Sequence, residues 1–330
     1  MGKQLLERDS LFIKDIRVMD ELLQKAQNPP SWTIEEEILR PQESSRIYQA
    51  QFSQPICTAL QIAIFKFLKR CGIPITAVVG HSSGEIAASY ACGALSLREA
   101  MLCSYSLGLV TGAQELTGGM AAVGMSSEEV LPYLNENVLV AAENSPKLTT
   151  ISGPVVELNQ VMNNIRKNCS DSFLRRLQVD MAYHSREMHT LSKPYLDLLY
   201  AEFNPSTETS RLPRIPMYST VTGKLVREHL SPEYWVQNLV SPVRYMQAIR
   251  EILTATPQCV FLEIGPHPQL ASPILQICVE ANIAANYIPT LIRGVPCEQS
   301  LLTTVGKVWQ QGIHVDFTVL FPPGPLESET

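Results

Sequence analysis

Ile75-Thr76-Ala77-Val78-Val79-Gly80-His81-Ser82-Ser83-Gly84-Glu85 is the stretch that decides the fold. The run 75–79 predicts a buried strand, and the small-residue run Glu85-Ile86-Ala87-Ala88-Ser89-Tyr90 predicts a helix. Between them Gly80 and Gly84 flank Ser82 in the pattern G-x-S-x-G, a nucleophile elbow. Both glycines are expected because a strained turn leaves no room for side chains beside the nucleophile. An elbow of this kind lifts the Ser82 hydroxyl off the sheet and aims the backbone N–H of Ser83 at a developing oxyanion. A bare G-x-S-x-G also occurs by chance in loops. The strand before it and the helix after it make this one a candidate catalytic serine.

The 330 residues are enough for one large domain or two small ones, and 45% hydrophobic with 18% charged residues describes a soluble globular chain. A net charge of −6 and a pI near 5.6 argue against nucleic acid as the main partner. No block of basic residues suggests a membrane surface, and the longest apolar runs are too short to span a bilayer. The eight cysteines include no C-x-x-C pair, so reduced, mostly buried thiols in a cytoplasmic protein are expected. No basic-plus-apolar secretion signal opens the sequence.

Helical spacing covers residues 1–26, followed by a turn and a short acidic helix over 27–45. An amphipathic helix over 53–70 is entered through Ser53-Gln54-Pro55, with Pro in the first turn. Ser96-Leu97-Arg98-Glu99 is a capping box opening a helix to about residue 110. From about 118 the pattern changes: strands at 120–125, 138–142, 148–152 and 174–179, with helices at 126–135 and 154–168. That order is the ferredoxin-like arrangement. The fold class is therefore α/β, with a large subdomain (1–117 and 182–317) that carries the elbow and a small ferredoxin-like subdomain (118–181) inserted in it. Residues 318–330, with Phe321-Pro322-Pro323-Gly324-Pro325, read as a linker.

A serine hydroxyl needs a base to become a nucleophile. Of the six histidines, His81 lies inside the elbow with its side chain expected to point away. His229 and His314 lie in polar loop contexts. His184 and His189 are five apart, so they do not share a helical face and no metal pair is expected. His184, at the end of the run Leu177–Tyr183, is the best base; a hydrogen-bonded structural histidine is the alternative.

Several segments, in order and spread over nearly the whole chain, resemble the acyltransferase domain of fungal iterative highly reducing polyketide synthases. They include Phe52-Ser53-Gln54-Pro55, the elbow through Tyr90, Gly118-Gly119-Met120-Ala121-Ala122-Val123-Gly124, Glu143-Asn144-Ser145-Pro146, Val179-Asp180-Met181-Ala182-Tyr183-His184-Ser185, Tyr234 through Arg244, and Glu263 through Leu270. The resemblance implies an α/β-hydrolase-like large subdomain. It implies that Ser82 takes an acyl group from an acyl-CoA, malonyl-CoA being one candidate, and passes it to the phosphopantetheine thiol of an acyl carrier protein. His184 is then base and acid in turn, held by a backbone carbonyl at the position of Asn238. Met181, Ala182 and Tyr183 match the substrate-side motif. His267 and Asn144 match positions expected to be structural. No metal and no bound cofactor are implied, and the expected partner is a polyketide synthase in the cytoplasm.

Two departures stand out. Malonyl-selective members carry an arginine 25 residues after the serine, and here Leu107 stands there, within Ser104-Tyr105-Ser106-Leu107-Gly108. Such an arginine pairs bidentately with the malonyl carboxylate. No Lys or Arg lies between Arg98 and Lys147 to replace it, which leaves Arg186 as a distant candidate. Met181-Ala182-Tyr183-His184 itself looks like the malonyl type, but charge pairing carries more energy than pocket shape, so a neutral acyl group is expected. Second, the family's first strand and a Gly-Gln-Gly turn, which supplies another oxyanion donor, precede the position matched by Met1–Leu6, so that N-terminal strand is expected to be missing. Two competing readings follow: a catalytically impaired remnant or docking module of a synthase, and an α/β serine hydrolase with Asp180 as its acid.

Overall fold

The computed structural model of the chain describes residues 2–8, 10–113, 118–203 and 211–320. Its helices are α1 (Lys3–Arg8), α2 (Ser10–Leu23), α3 (Ile34–Leu39), α4 (Ala50–Arg70), α5 (Gly84–Cys92), α6 (Leu97–Gly112), α7 (Ser127–Val130), α8 (Val155–Asn168), α9 (Ser192–Glu202), α10 (Pro232–Val240), α11 (Tyr245–Ala255), α12 (Ala271–Glu280) and α13 (Cys297–Gln310). Its strands are β1 (Val78–Val79), β2 (Gly118–Val123), β3 (Leu139–Ser145), β4 (Leu148–Pro154), β5 (Leu174–Arg176), β6 (Met217–Tyr218), β7 (Val260–Glu263) and β8 (Asn286–Pro289). The linker expected over 318–330 falls mostly on 321–330, outside the described residues.

Two short parallel ladders, β1 with β6 and β7 with β8, share the same two layers. Val78, Val260 and Leu262 pack against the larger apolar cluster, built on Ile56, Leu60, Ile64, Met101 and Leu107. Val79 and Phe261 face the opposite cluster, around Ile249, Ile252, Ile274 and Ile277. Alternation along each strand thus feeds two cores, as expected of a sheet with helices on both faces. The strand expected over 75–79 pairs only at 78–79. Val78 N–H donates to Pro216 O at 2.9 Å, and Pro216 has no N–H to extend the ladder.

β2–β5 form a separate antiparallel sheet of order β3-β4-β2-β5, covered by α8 through Leu158, Val161, Met162 and Ile165. With helices after β2 and after β4, this is the ferredoxin-like arrangement. The fourth strand is shorter than expected, ending at Arg176; Leu177 N–H still reaches Met120 O (2.9 Å), and the chain then leaves toward the site. Two backbone bonds tie this sheet to the rest: Glu143 N–H to Val243 O (2.8 Å) and Val243 N–H to Ala141 O (2.9 Å). No helix among the described residues is long and apolar enough to cross a membrane.

Candidate active site

β1 delivers the chain to Gly80 and α5 takes it away from Gly84. Between them Ser82 adopts φ 54°, the left-handed conformation of an elbow. Gly84 N–H donates to His81 O and Glu85 N–H to Ser82 O, each at 3.0 Å, so the turn folds back on itself. A Cβ on Gly80 would lie 2.2 Å from the Glu85 nitrogen, which excludes any other residue there. Gly84 differs from the expectation: its nearest neighbour for a Cβ is Gln61 Nε2 at 3.9 Å, so only the first glycine is demanded by crowding. Ser83 is the N-cap of α5, and its backbone N–H donates to no acceptor among the described residues.

The structure brings Ser82 and His184 into direct contact, Oγ to Nε2, at 2.7 Å. His184 is 5% exposed and also has a left-handed backbone, φ 60°. Its Nδ1 lies 2.8 Å from Ser241 O. A carbonyl only accepts, so Nδ1 carries the proton and Nε2 presents its lone pair to the Ser82 hydroxyl. Burial, reinforced by His81, pushes the imidazole down from 6.5 to about 4, which keeps it neutral near pH 7 with the Nε2 lone pair free to accept a proton.

The carbonyl that holds His184 belongs to Ser241, not Asn238 as expected from the resemblance. Asn238 lies within α10, where its carbonyl faces along the helix. Ser241 is the C-cap, turned into extended geometry (φ −85°, ψ 151°) ahead of Pro242. The helix has ended there, and the free carbonyl turns to the imidazole. Asn238 instead donates from Nδ2 to Ser82 O (3.2 Å) and to Glu85 Oε2 (3.1 Å).

Glu85 was not singled out by its sequence position, where an acidic residue in the first turn of a helix has an ordinary explanation. It is fully buried and accepts from Thr220 N–H, from the Thr220 hydroxyl (2.9 Å), from Tyr234 OH (2.6 Å) and from Asn238. Burial raises its carboxyl to about 7 against these bonds. The network fastens α5 and the Ser82 backbone to α10, the helix that ends on Ser241. His81 faces away as expected: its Nε2 lies 2.7 Å from Asn144 Oδ1, and Asn144 Nδ2 donates to Thr150 Oγ1 at 2.9 Å. This pair joins the elbow to β3 of the smaller sheet. His267 Nδ1 accepts from Arg293 N–H at 3.3 Å.

Leu107, Met181 and Tyr183 meet in one apolar cluster, with Leu107 5% exposed on α6. Tyr183 turns its hydroxyl toward Thr111 and Gln54, and burial pushes that hydroxyl up from 10. Ala182 packs so closely on Gly118 that a Cβ there would lie 2.4 Å from the Ala182 nitrogen. A cleft of about 560 Å³ opens beside His184, walled by Leu131, Leu134 and Val138–Val140 from the smaller sheet's side and by Val240 at the end of α10 and Pro242 just beyond it.

The acyl transferase domain family model matches residues 1–315. A highly reducing polyketide synthase of Fusarium sp is 42% identical over 334 residues, covering 100% of this chain and 13% of that protein. The squalestatin hexaketide synthase of Phoma sp. is 37% identical over 95% of this chain, which covers 12% of it. The chain thus spans about an eighth of the length of these relatives. Among solved structures, the acyltransferase domain from module 8 of the salinomycin polyketide synthase superposes with TM-score 0.88 at 26% identity, covering 97% of this chain and 74% of that one. A loading acyltransferase from the avermectin modular polyketide synthase gives TM-score 0.84 at 26% identity, covering 94% and 95%.

Proposed function

This chain belongs to the acyl transferase domain family, and we propose that it moves an acyl group from acyl-CoA, through an ester on Ser82, to the phosphopantetheine thiol of an acyl carrier protein. The observation that carries this is the line Ser82 Oγ–His184 Nε2 (2.7 Å) and His184 Nδ1–Ser241 O (2.8 Å). Ser82 Oγ attacks the thioester carbonyl while His184 Nε2 takes its proton. Negative charge gathers on the carbonyl oxygen within reach of the Ser83 N–H. Coenzyme A leaves as its thiol with the proton from His184. In the second half His184 takes the carrier thiol's proton, the sulfur attacks the ester, and Ser82 recovers its hydrogen. A carbonyl suffices behind His184 because thioesters are activated donors and thiolates leave readily.

Leu107, with Met181, Ala182 and Tyr183, shapes the acyl end. An apolar Leu107 leaves a malonyl carboxylate without a cation there, so a neutral acyl group is the better fit. The setting is polyketide biosynthesis in the cytoplasm, in concert with a polyketide synthase. Residues 1–117 and 182–317 act as the catalytic body, and 118–181 as a cover over the cleft.

Intact-protein mass spectrometry after mixing with a panel of acyl-CoAs tests this. A mass gain equal to one acyl group, absent in Ser82→Ala, is expected. No gain from well-folded wild type would refute transfer and leave a non-catalytic module.

A further inference from the structure

The cleft beside His184 has an asymmetry in its lining. Its walls are aliphatic apart from Asn135, His184, Ser185, Arg186 and His189, and no aspartate or glutamate lines it, in a chain of net charge −6. Arg186 and His189 lie three residues apart on a 3₁₀ segment, Arg186–Leu191, where positions i and i+3 eclipse. Both are exposed, and Arg186 has no carboxylate partner among the described residues. Glu187, between them, is excluded from the cleft: its buried Oε2 has no hydrogen-bond partner, and its carboxyl is raised by burial and by Glu157.

We propose that Arg186 and His189 bind the phosphate that ends the pantetheine arm, the group shared by coenzyme A and the carrier protein. This rests on the acyl-transfer reading above. A guanidinium presents a planar fork that matches phosphate oxygens, and the imidazole adds an N–H donor beside it. The reach permits it. Of the five steps from His184 to His189, three run along the 3₁₀ segment, about 6 Å at its rise, the two before it through extended Ser185 reach up to about 7 Å, and the side chains add several ångströms. From thioester sulfur to phosphate the arm equals roughly five extended residues, about 17 Å. The apolar walls of Leu134, Val140 and Val240 then flank the arm itself.

The test compares donors and acceptors with and without the phosphate. Acylation of Ser82 is followed with acetyl-CoA and malonyl-CoA beside acetyl- and malonyl-pantetheine. Unloading is followed with holo-carrier protein beside free pantetheine. In Arg186→Gln, the ratio of kcat/KM for acyl-CoA to that for acyl-pantetheine falls about ten-fold, through KM, and the ratio for holo-carrier to pantetheine falls alike. Arg186→Lys restores part of each ratio, and His189→Ala lowers both less. Unchanged ratios overturn the proposal, as does a fall in only one half-reaction, which would place the pair on a group that donor and acceptor do not share. If no donor acylates Ser82 in the wild type, the transfer reading itself has failed and the assignment falls with it.

Discussion

Replacing His184 by Asn while the pH is lowered gives the most direct reading of how this site is poised. Asn tolerates the left-handed backbone at 184, so the variant removes the titrating ring without adding strain. Burial and His81 hold the folded imidazole at about 4 against an ordinary 6.5. Below 6.5 the unfolded chain takes up a proton that the folded chain refuses. The stability tied to a neutral His184 is therefore complete above pH 6.5 and lost as the pH falls toward 4. At about 1.4 kcal/mol per pH unit, the whole span is worth about 3 kcal/mol, of which about 2 kcal/mol falls between about pH 7.5 and about pH 5. Urea unfolding of wild type and His184→Asn at those two values isolates it, because Asp20 and Glu85, whose raised carboxyls shift stability the opposite way, are common to both. The difference between the two proteins should move by about 2 kcal/mol against wild type at the lower pH. The rate of Ser82 acylation should stay level from about pH 7.5 to about pH 5 and fall near pH 4. An acid limb centred near 6.5, with no change in the stability difference, would refute the account of a buried neutral base.

Two further outcomes are expected. Leu107→Arg should raise malonyl over acetyl loading about ten-fold or more by supplying the missing cation, at a stability cost of about 3–5 kcal/mol for a guanidinium in an apolar cluster; mass spectrometry and a melting curve read both, and an unchanged ratio would sink the role given to Leu107. Asn238→Ala should cost about 1–3 kcal/mol by unbinding Glu85 and the Ser82 carbonyl and should slow acylation more than it weakens donor binding, seen as a fall in kcat at constant KM.

The elbow was legible because its signals agreed: an apolar run, an obligatory Gly80, a serine, and a helix, Gly84–Cys92, that contains the predicted run Glu85–Tyr90. His184 was singled out by its place after the run Leu177–Tyr183, read as a strand although the paired strand stops at Arg176, and by resemblance. Its holding carbonyl was misplaced by three residues, because that choice depends on where α10 stops, and helix ends are the least legible feature of a sequence. α12, α13 and β8 went unread since their apolar runs carry no distinctive caps or turns. The Glu85 network was illegible for another reason. Thr220, Tyr234 and Asn238 are each unremarkable polar residues, and only tertiary folding converges them on one carboxylate.

Among the described residues three that are not glycine hold a left-handed backbone, Ser82, His184 and Asn282, and two of them are the pair in hydrogen-bond contact at the candidate site. Each such residue costs about 1–2 kcal/mol, which the packing around the elbow and around the buried His184 ring must hold in place. The two strained backbones thus meet at one point, where Ser82 Oγ and His184 Nε2 stand 2.7 Å apart.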